Sequence, residues 1–179
     1  MKRNYFALTF VSSDKPGIVA EVSKILYDNG FNIEDSSSTL LRGFFSMILI
    51  VSSPESMSEK EFEKIFEPAV KKMDLSMSVM PVNQLIPPKK LEKTYVISIY
   101  GSDKPGIVYR VTKFLSEKGI NIVDLQTKVA GKDDKPLYIM VLEVNIPDFK
   151  DENWIISLKK ISDELGTDIH VRQIETYEF

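Results

Sequence analysis

The sequence predicts an α+β protein made of two copies of one module, each a four-stranded antiparallel sheet with two helices on one face. Three observations carry this reading. The element Asp14-Lys15-Pro16-Gly17-Ile18-Val19 returns as Asp103-Lys104-Pro105-Gly106-Ile107-Val108. The match continues without a gap, and from Ser13 to Asp35, 14 of 23 positions are identical to their partners. In both halves the apolar spacing alternates between the period of a strand and that of a helix, in the order strand, helix, strand, strand, helix, strand.

The first strand is read over residues 4–12, where Phe6, Leu8 and Phe10 share one face, as Tyr95, Ile97 and Ile99 do in the second half. A helix follows from Gly17 to Asn29, with Ile18, Val22 and Ile25 on one stripe and Gly30 expected to close it in a left-handed conformation. The second copy repeats it with Ile107, Val111, Phe114 and Leu115 before Gly119. Two strands are expected at 31–41 and 43–51, joined by a tight turn at Arg42-Gly43. Ser58 and Glu61 have the spacing of a capping box. They open a helix with Phe62, Ile65, Phe66, Ala69, Val70 and Met73 on its apolar face. Pro68 inside that pattern is expected to kink or break it. Residues 75–82 make the closing strand.

In the second half, 137–144 is a strand, Trp154 to Leu165 a helix ending near Gly166, and 169–174 the last strand. After Asp35 the repeat spacing lengthens from 89 to 93, which places the extra residues in the turn-like segment 130–136. This element order is that of the ferredoxin-like split β-α-β arrangement. One sheet face then stays free of helices, so each module has a reason to pair. Pro87-Pro88 marks the junction. We assign 1–86 and 94–179 to the two domains and 87–93 to a linker.

Composition narrows the function. The chain has 179 residues, 23 basic and 26 acidic, with a net charge of −3. No basic stripe is present, which argues against direct nucleic-acid binding. No apolar run is long enough to cross a bilayer, and the N-terminus enters a strand at once, so no membrane contact is expected and the cytoplasm is the expected location. Without cysteine there is no thiol catalysis or thiolate metal site, and a single His170 leaves no histidine-based metal site. No phosphate-binding glycine loop, nucleophile elbow or zinc-helix motif occurs. Neither an enzyme nor a cofactor is expected.

The candidate sites lie in the repeat. Asp14 to Gly17 sits at a strand-to-helix corner, where Asp14 capping the helix, Pro16 in its first turn and Gly17 at the bend explain the residues as local structure. The same corner suits a carboxylate ligand, because a helix start presents free N–H groups and the positive end of its dipole. Asn32 and Asn121 open the second strand, either satisfying loop backbone or meeting the polar end of a ligand. Asp35 and Asp124 read as solvated carboxylates. Ser36-Ser37-Ser38 is replaced by Leu125-Gln126-Thr127 in the second copy, so the halves need not be equivalent.

Asp-x-Pro-Gly-Ile-Val opening the first helix, followed by Gly-x-Asn-Ile opening the second strand, resembles the ACT domain. Both copies carry it, at 14–33 and 103–122. Two such domains in tandem resemble the glycine cleavage system transcriptional repressor family. The resemblance implies amino-acid sensing, side-by-side pairing of modules into a homo-oligomer, and action through a DNA-binding protein partner. The ligand-binding residues it implies are Asp14, Gly17, Ile18, Asn32 and Ile33, and Asp103, Gly106, Ile107, Asn121 and Ile122. The ligand would be a small amino acid such as glycine or serine. A purely structural or protein-interaction module is the competing reading.

Overall fold

The computed structural model describes residues 4–53, 57–83, 85, 93–131, 136–146 and 153–174. The chain divides into two compact units, Met1–Pro87 and Pro88–Phe179. The expected linker 87–93 lies outside the described residues except for Lys93, and so does most of the longer turn at 130–136.

In the first unit the order is β1 (Asn4–Ser13), α1 (Ile18–Asp28), β2 (Asn32–Leu41), β3 (Phe44–Ser53), α2 (Glu59–Met73) and β4 (Ser76–Val82). The second repeats it: β5 (Thr94–Ser102), α3 (Ile107–Glu117), β6 (Asn121–Ala130), β7 (Leu137–Asn145), α4 (Trp154–Leu165) and β8 (Thr167–Ile174). The sheets have the orders β2-β3-β1-β4 and β6-β7-β5-β8, all neighbours antiparallel. This is the fold expected from the sequence, two ferredoxin-like modules.

Alternation along each strand sorts the side chains. Phe6, Leu8 and Phe10 of β1 point under the helices and are buried against Val22, Leu26, Phe62 and Phe66. Phe62 sits at the centre, its ring 4.5 Å from Phe6 and 4.8 Å from Phe31. In the second core Ile99 and Ile120 stand where the first has Phe10 and Phe31, and Trp154 stands edge-on to Tyr95, the counterpart of Phe6, at 5.5 Å.

The Arg42-Gly43 turn has positive φ at both residues, 49° and 86°, which matches the twist of the strands it joins. Ser58 and Glu61 form the expected capping box, the Ser58 N–H donating to the Glu61 carboxylate at 2.8 Å. Pro68 does not break α2, which runs as one helix of 15 residues. Phe62, Phe66, Ala69 and Met73 are buried on both sides of it, and that burial outweighs the one hydrogen bond the proline cannot donate.

Candidate functional site

The corner after β1 is built by backbone. The Asp14 N–H donates to the Gly43 carbonyl at 2.8 Å, tying the loop to the β2–β3 turn. The chain then reaches Gly17 at φ 97° and ψ −6°, and Gly17, not Asp14, is the N-cap of α1. The expected side-chain cap is absent, and the Asp14 carboxylate is exposed and makes no hydrogen bond among the described residues. Pro16 precedes the cap instead of sitting in the first turn. The cause is simple. The chain bends through a left-handed glycine, so the aspartate falls too far upstream to reach the helix. Among the described residues, apart from its chain neighbours, nothing lies within 4 Å of where a Gly17 Cβ would stand, so the glycine serves the backbone angle, not a close approach.

Glu21 N–H is the first to find an intrahelical carbonyl, that of Gly17, at 2.9 Å. The N–H groups of the turn before it are left for water or a ligand. Beside them is a shallow pocket of about 430 Å³ lined by Lys15, Gly17, Ile18, Val19, Ala20 and Phe45. Its walls are apolar apart from the backbone and the Lys15 ammonium, which makes no ion pair among the described residues. Ile18 forms its floor and is 2% exposed, so its chief role is core packing. Sequence reasoning passed over Lys15 and Phe45. Lys15 stands inside the repeated element, but its presence in both copies gave no contrast. Phe45 reads only as a strand residue until the register sets it across from Ser12.

The second corner keeps the backbone and changes the chemistry. Gly106 caps α3 at φ 97° and ψ −7°, and the Arg110 N–H meets its carbonyl at 2.9 Å. Lys104 is drawn away to the Leu165 carbonyl at 3.2 Å, at the negative end of α4. Phe45 is replaced by Tyr138, and its cross-strand partner Ser12 by Gly101. The Tyr138 hydroxyl is buried and has no hydrogen-bond partner among the described residues. Burial, with a smaller contribution from the Asp103 carboxylate, pushes its pKa up from the ordinary phenol value. Ile107 is buried in the second core. A separate depression of about 360 Å³, lined by Tyr109, Arg110, Lys113, Phe114, Glu117 and Ile161, contains none of the expected site residues.

The second set of candidates does not join the first within a module. Ser13, at the corner, pairs with Phe44, whereas Asn32 pairs with Ser52 at the other end of β3. Those ends are eight residues apart, roughly 27 Å at strand rise. The Asn32 amide donates to the Glu34 carboxylate at 3.1 Å, and the Ser52 hydroxyl donates to the same oxygen at 2.6 Å. Glu34 lies at a bulge in β2, between Ile33 and Asp35, and sequence reasoning did not single it out. Its counterpart is the exposed Val123, which offers Asn121 no carboxylate. Ile33 is 40% exposed and Ile122 is half-buried. Asp35 accepts the N–H of Ser36 at 2.7 Å, and Asp124 accepts from the Gln126 amide at 3.1 Å. Both behave as the solvated carboxylates expected.

The two corners stand at equivalent places on duplicated ferredoxin-like modules, a tandem-domain architecture. ACT-domain models match residues 4–80 and 95–152, and the chain belongs to the ACT-domain family. A UPF0237 protein of Methanococcus maripaludis is 34% identical over 88 residues, covering 47% of this chain and 91% of that protein. A UPF0237 protein of Streptococcus mutans is 42% identical over 60 residues, 34% of this chain and 68% of its own length. Among solved structures, an unknown protein from Galdieria sulphuraria superposes with a TM-score of 0.81 and 28% identity, covering 97% of this chain and 100% of that one. A candidate glycine cleavage system transcriptional repressor superposes with a TM-score of 0.71 over 98% of this chain and 100% of its own. At 17% identity, that likeness speaks for the fold.

Proposed function

We propose that this chain is a non-enzymatic regulatory protein that senses a small amino acid at the β1–α1 corner and acts through a protein partner. The observation behind it is the pocket where an unpaired Lys15 ammonium and the free N–H groups of α1 flank an apolar wall of Val19, Ala20 and Phe45. A carboxylate meets Lys15 and the helix start, and a small side chain meets the wall. Glycine and serine, the small amino acids the resemblance suggests, are of a size the pocket admits. The likeness to a candidate glycine cleavage repressor supports a role in transcription, and the acidic chain favours contact with DNA through a DNA-binding partner.

Asn32 and Ile33 reach such a ligand only if a second copy brings the start of its β2 to the corner. β2 is exposed along its whole length and stands at the sheet edge, where a neighbour's strand can pair with it. The second corner favours a structural role, because Tyr138 fills it and Lys104 is committed to α4.

Thermal unfolding in excess of each amino acid tests the reading. A ligand that binds only the folded chain raises the midpoint. The expected outcome is a rise with at least one small amino acid, abolished in Lys15→Met and kept in Lys104→Met. Equal rises in both variants would place binding elsewhere.

A further inference from the structure

Asn29 is the only asparagine of the chain that stands before a glycine. The others precede a tyrosine, a glutamine, isoleucines or a tryptophan, whose side chains crowd the backbone nitrogen that follows. Gly30 has no Cβ to do so. The pair closes α1, with Asn29 at the C-cap and Gly30 after it at φ 74°. Both residues are exposed.

The fold explains the glycine but not the asparagine. In the second module Gly119 makes the same left-handed turn at φ 67°, and Lys118 fills the cap position. The backbone bonds also correspond. The Gly30 N–H donates to the Tyr27 carbonyl at 3.0 Å, and the Gly119 N–H to the Ser116 carbonyl at 2.9 Å. A lysine therefore serves this cap. The asparagine brings a bond of its own, its Nδ2 donating to the Ile25 carbonyl at 2.8 Å.

We propose that Asn29 is a self-modification site, converted to aspartyl and isoaspartyl forms when the end of α1 opens. The Gly30 nitrogen attacks Asn29 Cγ and forms a C–N bond. The side-chain amide leaves as ammonia, taking the Gly30 proton with it, and a five-membered imide remains. Water then opens the imide at either carbonyl. One opening leaves an ordinary aspartate, and the other routes the main chain through the former side chain. The folded helix end holds the reacting groups apart. The Gly30 N–H is committed to Tyr27, the Asn29 amide to Ile25, and a ψ of 8° turns the Gly30 nitrogen away from the side chain. Conversion therefore waits on fraying of the last turn, an opening that exposed helix ends undergo readily.

The product weakens the turn that made it. A carboxylate in place of the amide loses the donor to Ile25 and sets a negative charge next to Asp28 at the negative end of α1. The isoaspartyl form also adds a methylene to the main chain just before Phe31, whose ring packs 4.8 Å from Phe62 in the first core. Lys118 spares the second module. The site lies at the opposite end of α1 from the Lys15 pocket, so it stands or falls independently of the sensing function.

Peptide mass mapping of the full chain, kept folded in mildly alkaline buffer, tests it. The expected result is the mass gain of replacing NH2 by OH, growing with time at Asn29 and absent at Asn32 and Asn121. An isoaspartyl fraction accompanies it, and the aged chain has a lower unfolding midpoint than the fresh one. Conversion is expected to be at least about tenfold slower in the folded chain than in the denatured one, as for a helix end open less than about a tenth of the time. Asn29→Lys, which copies the second module, is expected to keep its mass and its midpoint over the same period, with circular dichroism confirming that it folds. A folded wild type that keeps Asn29 intact overturns the proposal, whether or not the denatured chain is converted. So do equal rates in the folded and denatured chains, or a midpoint that falls as far in Asn29→Lys.

Discussion

Gly17 and Gly106 hold the same backbone angles to within a degree, and neither is hemmed in by the described residues beyond its chain neighbours, none of which stands within 4 Å of where a Cβ would be. The cost of a side chain there is conformational alone. Gly17→Ala and Gly106→Ala are each expected to lose about 1–2 kcal/mol of stability in chemical denaturation, the cost of holding an L-residue left-handed. Losses near zero would mean that the corner relaxes. Tyr138 makes the opposite prediction. Its buried hydroxyl has no partner among the described residues, and the first module places a phenylalanine in the same slot. Tyr138→Phe is expected to stabilise the protein by about 1 kcal/mol, read as a higher unfolding midpoint. A lower midpoint would reveal a hydrogen bond to that hydroxyl. At this scale the sequence showed the glycines plainly, because φ is a property of the residue. It could not show that Asp14 misses the helix it precedes, because that depends on where the chain bends.

Elements carry the second group of consequences. The start of α2 is held by the Ser58–Glu61 box, which the spacing of the two residues discloses by itself. The Ser58 backbone N–H, and then its hydroxyl, hold the Glu61 carboxyl below its ordinary value of 4.5. A depressed folded pKa means that the stabilisation is complete above the ordinary value and is lost as pH falls through the folded one. Glu61→Gln should therefore lower the unfolding midpoint at neutral pH and converge on the wild type in acid. A difference that persists in acid would assign the effect to something other than the carboxylate. Pro68 went the other way, since its local rule yields to a helix face buried along its length. On β5, a Gly101 Cβ would stand 2.6 Å from Thr167 Cγ2 and 3.2 Å from its Cα. Gly101→Ala is expected to cost about 1–3 kcal/mol by forcing β5 and β8 apart. The first module carries Ser12 at that position with a phenylalanine across from it, so the pair exchanged bulk together.

Over the whole molecule, duplication made the fold legible and concealed the site. Matching copies gave the element order and the topology at once, because core spacing is local. They also suggested that Gly17 and Asn32 act together, whereas the sheet places them at opposite ends. Only strand direction, which no short motif encodes, reveals that separation. The copies then diverge at the corners and on the open sheet faces. Lys15 faces a pocket while Lys104 binds the end of α4, and on the open sheet faces Ile50, Met80, Ser76 and Thr39 of the first module give way to Glu143, Arg172, Asp168 and Lys128 of the second. Binding of a small amino acid at the first corner is tested most directly by titration calorimetry of the full chain against a panel of amino acids. The expected result is saturable heat from at least one small amino acid, lost in Lys15→Met. A folded wild-type protein that gives no heat with any of them would contradict it.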